Sequence, residues 1–290
     1  MRLMFRRMKF QARLVIPALA CLVACSNPPP PVSPAPDSAP APAPAPAPSA
    51  ASTPNASTQT VPDYVRAAVD APDRSAADRA LDAGRKPDLM LAFFGIRPGM
   101  RVAELGAGGG YTSELLARVV GSTGKVYAQN SQFILDRFAN GPLTERLAKP
   151  ELSKLGNIVR SDRPFDDPLA PEVKDLDAVL NVLFYHDTVW QKVDRVKMNR
   201  AVFAALKSGG VYGIVDHSAL PGSGLGATES VHRIEEKVLR EEIESAGFRL
   251  VAEGSFLKNP DDTRDWSTSP RVVGERRGTS DRFVLKFQKP

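Results

Sequence analysis

Residues 101–120 read RVAELGAGGGYTSELLARVV, and this stretch decides the fold. Arg101 to Leu105 is a short run of β-type residues, and it stops at Gly106-Ala-Gly-Gly-Gly110. From Tyr111 to Val120 the apolar residues return at helical spacing. A strand, a glycine turn and a helix in this order predict the opening of a nucleotide-binding βαβ unit. Glycine is needed there because the backbone turns tightly and a ligand approaches it closely, while the helix start offers free N–H groups to an anionic group.

The spacing of the glycines narrows the choice of ligand. A dinucleotide fingerprint requires G-x-G-x-x-G, and here Gly106 and Gly108 fit but Tyr111 occupies the last position. Instead, Glu104 stands two residues before the first of three alternate glycines, the last of which is Gly110. This pattern resembles motif I of the class I S-adenosylmethionine-dependent methyltransferases, where it wraps the methionine end of the cofactor. The resemblance implies that all five of these residues contact S-adenosylmethionine; a purely structural glycine turn is the alternative.

The order of the later segments extends the resemblance to about residues 88–290. Apolar or alternating runs predict strands at 125–128, 157–159, 176–183, 211–215, 248–253 and 283–287, and helices at 88–94, 193–206 and 230–246. The run at 176–183 is almost continuously apolar, as in a parallel strand that is buried on both faces. The resemblance therefore implies an α/β fold: a Rossmann-like, doubly wound sheet of seven strands, mostly parallel with an antiparallel last strand.

Three further residues are assigned to the cofactor by the resemblance. Family members usually carry an acid at the end of the second strand, and its carboxylate accepts hydrogen bonds from the ribose hydroxyls. The aligned residue here is Asn130, whose amide lacks the charge that strengthens such bonds. Asp162, at the end of the third strand, corresponds to the acid that contacts adenine, and Asn181 in the fourth strand completes the predicted set.

The catalytic candidates are the three histidines of the chain. His186 and His217 follow the fourth and fifth predicted strands, at the sheet edge where doubly wound folds bind ligands. His232 is predicted to open the helix at 230–246. A general base is needed only if the methyl acceptor must lose a proton, and for each histidine a structural role is the alternative.

No metal site is expected from the sequence. His232 lies three and four residues before Glu235 and Glu236, a spacing that shares a helix face. However, no HExxH motif or cysteine cluster supports this group as a set of metal ligands.

A predicted helix near the start of the folded part carries several charged residues. Arg74, Asp78, Asp82 and Arg85 lie in and just after the helical pattern at 64–83. We expect them to form a solvated helix face; closure of this helix over the ligand site is the alternative.

The N-terminal segment predicts export. Five basic residues precede an apolar run at 14–24, which is too short to span a bilayer, for which about 20 residues are needed, but suits a signal peptide. The run ends in Leu22-Val-Ala-Cys25, which resembles the lipobox of bacterial lipoproteins and implies cleavage before Cys25 and a lipid on its thiol. We therefore divide the chain into a signal peptide at 1–24, an Ala- and Pro-rich tether at 25–60 and a methyltransferase-like domain at 61–290. A plain signal peptide or a mis-assigned start codon is the alternative.

The charge of the domain bears on its partners, and the positions of the cysteines bear on its disulfides. The formal charge of +5 comes from the five basic residues of the N-terminal segment, without which 33 basic residues balance 33 acidic ones. No basic stripe is left to neutralise phosphates, which excludes nucleic acid as a partner. Both cysteines, Cys21 and Cys25, precede the domain, so no disulfide is expected within it.

Together these features predict a lipid-anchored, periplasm-facing envelope protein that methylates a small molecule or an envelope component. The predicted position outside the cytoplasm conflicts with this function, because S-adenosylmethionine, the methyl donor, is made and used in the cytoplasm. The alternative is a non-enzymatic envelope lipoprotein that keeps the methyltransferase fold as a binding module.

Overall fold

The computed structural model describes residues 60–290. The predicted signal peptide, the tether up to residue 59 and the predicted lipid attachment site at Cys25 lie outside the described residues. Within 60–290, every helix is too short or too polar to cross a membrane.

A seven-stranded sheet forms the centre of the domain. Its strands are β1 (Arg101–Leu105), β2 (Lys125–Asn130), β3 (Ile158–Asp162), β4 (Leu176–Val182), β5 (Leu206–His217), β6 (Arg249–Gly254) and β7 (Arg282–Gln288). The spatial order is β3-β2-β1-β4-β5-β7-β6. The first five strands in this order are parallel, and β7 pairs antiparallel with both β5 and β6. The predicted mostly parallel sheet with an antiparallel last strand is therefore confirmed.

Helices cover both faces of the sheet. They are α1 (Asp63–Val69), α2 (Ala76–Arg85), α3 (Pro87–Phe94), α4 (Tyr111–Val120), α5 (Gln132–Ile134), α6 (Asn140–Leu147), α7 (Pro150–Leu155), α8 (Tyr185–Trp190), α9 (Arg195–Ala205) and α10 (Glu236–Ser245). Apolar residues of α1, α3, α4 and α7 form one core on one face, and those of α5, α9 and α10 form the other. This double burial explains the almost continuous apolar run in β4, which lies between β1 and β5.

The stretch that decides the fold has the predicted bounds. β1 ends at Leu105 and α4 begins at Tyr111. β1 lies in the middle of the sheet, where Val102 is in register with Val126 of β2 and Ala178 of β4. The glycine loop, residues 106–110, therefore opens at the carboxyl edge of the parallel strands.

Two predicted boundaries are wrong, and each has a backbone cause. The strand predicted at 211–215 begins earlier, at Leu206, because Gly209 N–H donates to Lys289 O (2.8 Å) and Lys289 N–H donates to Gly210 O (3.0 Å). Helix α10 begins at Glu236 rather than at residue 230. Ile234 N–H donates instead to His217 O at 3.0 Å, which pairs this backbone with the end of β5 and keeps it out of a helix.

Candidate active site

A cavity of about 1140 Å³ lies at the carboxyl edge of the sheet. Its wall is formed by the glycine loop, by α2, by the start of α8 and by the segment between β6 and β7. This is the edge at which doubly wound sheets place their ligands, and the cavity is large enough for a molecule of cofactor size.

Within the glycine loop the three alternate glycines have different surroundings. Gly106, Gly108 and Gly110 all have left-handed φ angles, of 69°, 54° and 84°. A side chain at Gly106 would collide with the ring of Phe184, and one at Gly110 would meet Leu143. At Gly108 a side chain would meet nothing within 4 Å. Gly108 is therefore the position at which the loop backbone is open to a ligand.

Side chains at the end of β2 hold the loop in place. Gly106 N–H donates to Gln129 Oε1 (3.1 Å) and Gly108 N–H to Asn130 Oδ1 (2.8 Å). Asn130 Nδ2 in turn donates to Gly108 O at 3.1 Å. Both side chains are fully buried, and neither lines the cavity. Asn130 thus supports the loop from behind.

The structure brings half of the predicted cofactor residues to the cavity wall. Glu104, Gly106, Gly108 and Tyr111 line the cavity, whereas Gly110, Asn130, Asp162 and Asn181 do not. Asp162 is exposed and forms an ion pair with Arg160 at 3.0 Å. Asn181 is fully buried within β4, and its amide has no hydrogen-bond partner among the described residues.

Glu104 is a buried carboxyl group at the base of the cavity. It is 3% exposed and accepts a hydrogen bond from Ser113 Oγ. Burial raises the pKa of Glu104 to about 7, although hydrogen bonds from Ser113 and Thr112 oppose the shift. The part of the chain that the structure describes provides no basic side chain within ion-pair distance, so Glu104 is available to a cationic group of a ligand.

Helix α2 contacts the start of α4, and the charged residues at 74–85 do not form the solvated face that we expected. Arg74 and Asp78 are buried. Arg74 forms an ion pair with Asp82 at 2.7 Å, and Tyr111 Oη donates to Asp82 Oδ1 at 2.6 Å. Asp78 and Arg85 line the cavity. Helix α2 therefore forms part of the cavity wall, and its closure over a bound ligand stays a prediction.

All three histidines meet on one wall of the cavity. The ring centroid of His186 lies 5.7 Å from that of His217 and 5.6 Å from that of His232. His186 and His217 arrive from neighbouring strands, β4 and β5, as their sequence positions predicted. His232 arrives from the loop before α10, where it has a φ of 52°.

Two carboxylates connect these histidines. His186 Nδ1 lies 2.6 Å from Asp216 Oδ1, and His186 Nε2 lies 3.2 Å from Asp187 Oδ1. The same Asp187 oxygen lies 3.0 Å from His232 Nδ1. His217 Nδ1 is bonded to Ser280 Oγ at 2.7 Å. Asp187 and Asp216 are site residues that the sequence interpretation missed, although each is adjacent in sequence to a histidine.

His186 and His217 differ in the direction of their pKa shifts. Burial alone would lower the pKa of His186, but Asp216 and Asp187 overcome it and raise this pKa to about 10. Burial, followed by repulsion from His186 and Arg282, lowers the pKa of His217 well below its usual value. In the metal-free protein the two carboxylates therefore favour the protonated form of His186, whereas burial favours the neutral form of His217.

Arginine is the most frequent charged residue of the cavity wall. Arg282 is buried and donates to the backbone carbonyls of Ser280 (3.2 Å) and Gly278 (2.8 Å). Arg85 lies over the ring of Tyr111, with its guanidinium carbon 4.4 Å from the ring centroid. Within residues 60–290 neither arginine has an acidic partner at ion-pair distance. Further arginines on the wall are Arg137, Arg146, Arg271, Arg276 and Arg277.

A buried ion pair fixes the far wall. Arg233 and Asp262 are both fully buried as side chains and lie 2.7 Å apart. Arg233 Nε also donates to the backbone oxygen of Trp266 at 3.1 Å, and Trp266 lines the cavity. No sequence pattern predicted this pair, because an Arg and an Asp 29 residues apart match no local pattern.

Comparison with known proteins identifies the fold. The sequence profile of the protein-L-isoaspartate(D-aspartate) O-methyltransferase family matches residues 62–140, from α1 through the glycine loop and β2. No curated protein sequence matches the chain.

Two solved structures illustrate the similarity. A SAM-dependent methyltransferase from Aquifex aeolicus superposes with a TM-score of 0.51 at 17% identity, covering 74% of this chain and 95% of its own. The [4+2]-cyclase SpnF superposes with a TM-score of 0.51 at 14% identity, covering 72% of this chain and 81% of its own. At such identities the likeness establishes the fold, and the chemistry must be argued from the site.

Proposed function

We propose that this chain, which has the fold of the class I S-adenosylmethionine-dependent methyltransferases, binds S-adenosylmethionine in the cavity above the glycine loop and transfers its methyl group to an acceptor held beside the histidines. The single observation that carries this proposal is the open backbone at Gly108, which lies on the same cavity as Glu104 and all three histidines. When bound, the cofactor supplies a methyl group that is already activated by its sulfonium.

The residues at the glycine loop suit the amino-acid end of this cofactor. The Glu104 carboxylate faces the cavity without a cationic partner among the described residues, and would bind the ammonium group. The unpaired Arg85 would bind the carboxylate through charge-assisted hydrogen bonds. For the nucleoside end, Phe133 and Ile134 follow β2 and line the cavity. Because Asn130 and Asp162 do not line the cavity, Phe133 and Ile134 are better placed to contact the nucleoside.

Of the three histidines, His217 best fits the role of a general base. Both ring nitrogens of His186 face carboxylates, and Nδ1 of His232 is bound to Asp187. His217 Nε2 has no hydrogen-bond partner within the described residues, and Ser280 holds the other nitrogen. A base at this position would accept the proton of the methyl acceptor where one must leave.

The arginines favour an anionic methyl acceptor. A buried arginine without an acidic partner is costly unless a ligand supplies the negative charge, and Arg282 is such a residue on the cavity wall. We therefore propose an acceptor that carries a carboxylate or a phosphate. Inorganic phosphate should raise the melting temperature of the whole protein, and Arg282→Gln should remove most of this effect. Arg160→Gln, which changes an arginine outside the cavity, should retain the effect; equal responses in both variants would refute the assignment.

A second candidate is a binding protein that does not transfer methyl groups. It is favoured by the loop N–H groups of Gly106 and Gly108, which are already bonded to Gln129 and Asn130, and by the packing of Phe184 on Gly106. The SpnF structure, described as a [4+2]-cyclase, has the same fold.

Calorimetric titration of the whole protein with S-adenosylmethionine and with S-adenosylhomocysteine separates the two candidates. The methyltransferase proposal predicts binding of both, weakened at least about tenfold in Gly108→Ala, because a Cβ projects into the ligand space. Absence of binding at millimolar concentrations of both compounds would leave only the second candidate.

We also propose that the chain is exported and anchored by a lipid on Cys25. Cell fractionation of the wild type and of Cys25→Ala tests this, since the anchored form should sediment with membranes and the variant should not. Recovery of both proteins in the soluble cytoplasmic fraction would contradict export, and would also remove the conflict with the supply of the methyl donor.

A further inference from the structure

Three side chains on the cavity wall, those of His186, Asp187 and His232, bring atoms that can bind a metal close together. One nitrogen each of His186 and His232 and one oxygen of Asp187 all lie within 4.8 Å of one another. We propose that these three residues bind a divalent transition-metal ion, with Zn²⁺ as the ion that fits the set best. The proposal is independent of the methyltransferase function, because it concerns metal binding by the protein alone.

The spacing of the ligand atoms suits a zinc ion. Zn–N bonds of about 2.0–2.1 Å in a tetrahedral site place neighbouring ligand atoms about 3.3 Å apart. The Asp187 Oδ1 atom lies 3.2 Å from His186 Nε2 and 3.0 Å from His232 Nδ1. Hydrogen bonds would give similar distances, so the surroundings of the three ligand atoms have to support the assignment as well.

A buried carboxylate lies behind His186, as it does behind many metal-binding histidines. Asp216 is fully buried, and its Oδ1 lies 2.6 Å from His186 Nδ1. Its oxygens also accept the backbone N–H groups of His186 and His217, both at 2.8 Å, which fixes the carboxylate in place. A histidine that binds a metal commonly donates its other ring N–H to such a carboxylate, and this bond sets the tautomer and the ring orientation.

The tautomer of His186 that Asp216 favours leaves a lone pair on the other ring nitrogen, Nε2. If Nδ1–H of His186 donates to Asp216, the lone pair of Nε2 points toward the Asp187 carboxylate. Two acceptors then face each other at 3.2 Å in a place that is nearly closed to water. A cation between them removes the repulsion. The cation is either a proton on His186 or a metal ion shared with His232.

His232 is held toward this point by its backbone. Its φ of 52° is uncommon for a residue other than glycine and carries a conformational cost. Thr268 stabilises the strained turn, because its Oγ donates to His232 O at 2.6 Å and its N–H donates to Val231 O at 3.0 Å. Trp190 Nε1 donates to the shared Asp187 oxygen at 2.7 Å and so orients the third ligand.

Three protein ligands leave at least one coordination position toward the cavity. Two histidines and one carboxylate with an open position are typical of catalytic rather than structural zinc sites, and the same set also suits Fe²⁺, Mn²⁺ or Co²⁺. An ion here would bind an oxygen of the ligand in the cavity and lower the pKa of a bound hydroxyl group.

Metal titration of the whole protein tests the proposal directly. The purified chain is treated with a chelator, exchanged into buffer and titrated with Zn²⁺ against a competing chromophoric chelator. We expect one Zn²⁺ per chain. His232→Ala and Asp187→Ala should each lower the affinity by at least about 100-fold, and Asp216→Asn by about 10–100-fold, as for other carboxylates behind a ligating histidine.

His217→Ala is the matched control, because it removes a neighbouring histidine that does not contribute a ligand atom; its Zn²⁺ affinity should stay within about twofold of the wild type. Co²⁺ substitution of the wild type supplies a readout that needs no variant, namely the visible absorption bands of a low-coordinate nitrogen and oxygen site. Failure of the wild type to bind Zn²⁺ stoichiometrically would overturn the proposal and leave a protonated hydrogen-bonded cluster. An equal loss of affinity in His217→Ala and His232→Ala would overturn the assignment of the ligands.

Discussion

Replacement of Glu104 by glutamine should remove a pH dependence of stability that runs opposite to that of the ion-paired acids of this protein. In the folded protein burial raises the pKa of Glu104 from 4.5 to about 7. Between these values the folded state binds the proton more tightly than the unfolded state, so the free energy of unfolding falls as pH rises. The difference of about 2.5 pH units corresponds to about 3 kcal/mol, at 1.36 kcal/mol per unit.

Glu104→Gln keeps the shape of the side chain and an oxygen that accepts from Ser113 Oγ, but it has no proton to lose. The variant and the wild type should therefore have similar stability near pH 4. Above pH 7 the variant should be more stable by about 3 kcal/mol.

Urea denaturation at a series of pH values measures this difference, and subtraction of the two profiles removes the contributions of all other groups. Glu114→Gln is the control of opposite sign. Glu114 is buried like Glu104, but Arg118 and Arg146 overcome its burial and lower its pKa. It therefore contributes stability above its unfolded pKa that is lost as pH falls. Parallel pH profiles for the wild type and Glu104→Gln would refute the claim that this carboxyl is buried without a cation.

Four substitutions test the glycine loop and the far wall. Gly108→Ala should destabilise the fold by only about 1–2 kcal/mol, the cost of a left-handed non-glycine residue, whereas Gly106→Ala should cost more because of the clash with Phe184; thermal denaturation compares them, and equal losses would contradict the difference in packing. Asn130→Asp should destabilise the protein by about 1–3 kcal/mol, because it removes the donor to Gly108 O and leaves that oxygen unsatisfied; a cofactor affinity that rises without loss of stability would instead support contact with the ribose. Asp262→Ala should cost about 3–5 kcal/mol in urea denaturation by leaving the buried charge of Arg233 unpaired, and a loss below 1 kcal/mol would show that water reaches this pair.

The features that sequence patterns predicted well are local in the chain. The bounds of β1 and α4 were predicted correctly because a glycine cluster between an apolar strand and an apolar helix leaves few alternatives. The positions of His186 and His217 at one edge follow from two parallel neighbouring strands, since the carboxyl ends of such strands meet.

The features that were missed depend on contacts between distant segments. His232 joins the other histidines because Ile234 pairs with the end of β5, and no helical periodicity reveals such a pairing. The role of Asn130 as a support for Gly108 was not visible in the sequence, because the family pattern assigns the position to the ribose. The charged residues at 74–85 were expected in solvent because their partners are not evident from the helical pattern. Asp82 pairs with Arg74 and accepts from Tyr111 of α4, and Asp78 pairs with Arg146 of α6.

The most direct test of the central claim is a crystal structure of the whole protein with S-adenosylhomocysteine. The account predicts electron density for the amino-acid end of the ligand against Gly108, with its ammonium group near the Glu104 carboxylate. Density elsewhere, or a glycine loop that stays covered by Phe184 with no ligand above Gly108 at saturating concentration, would contradict it.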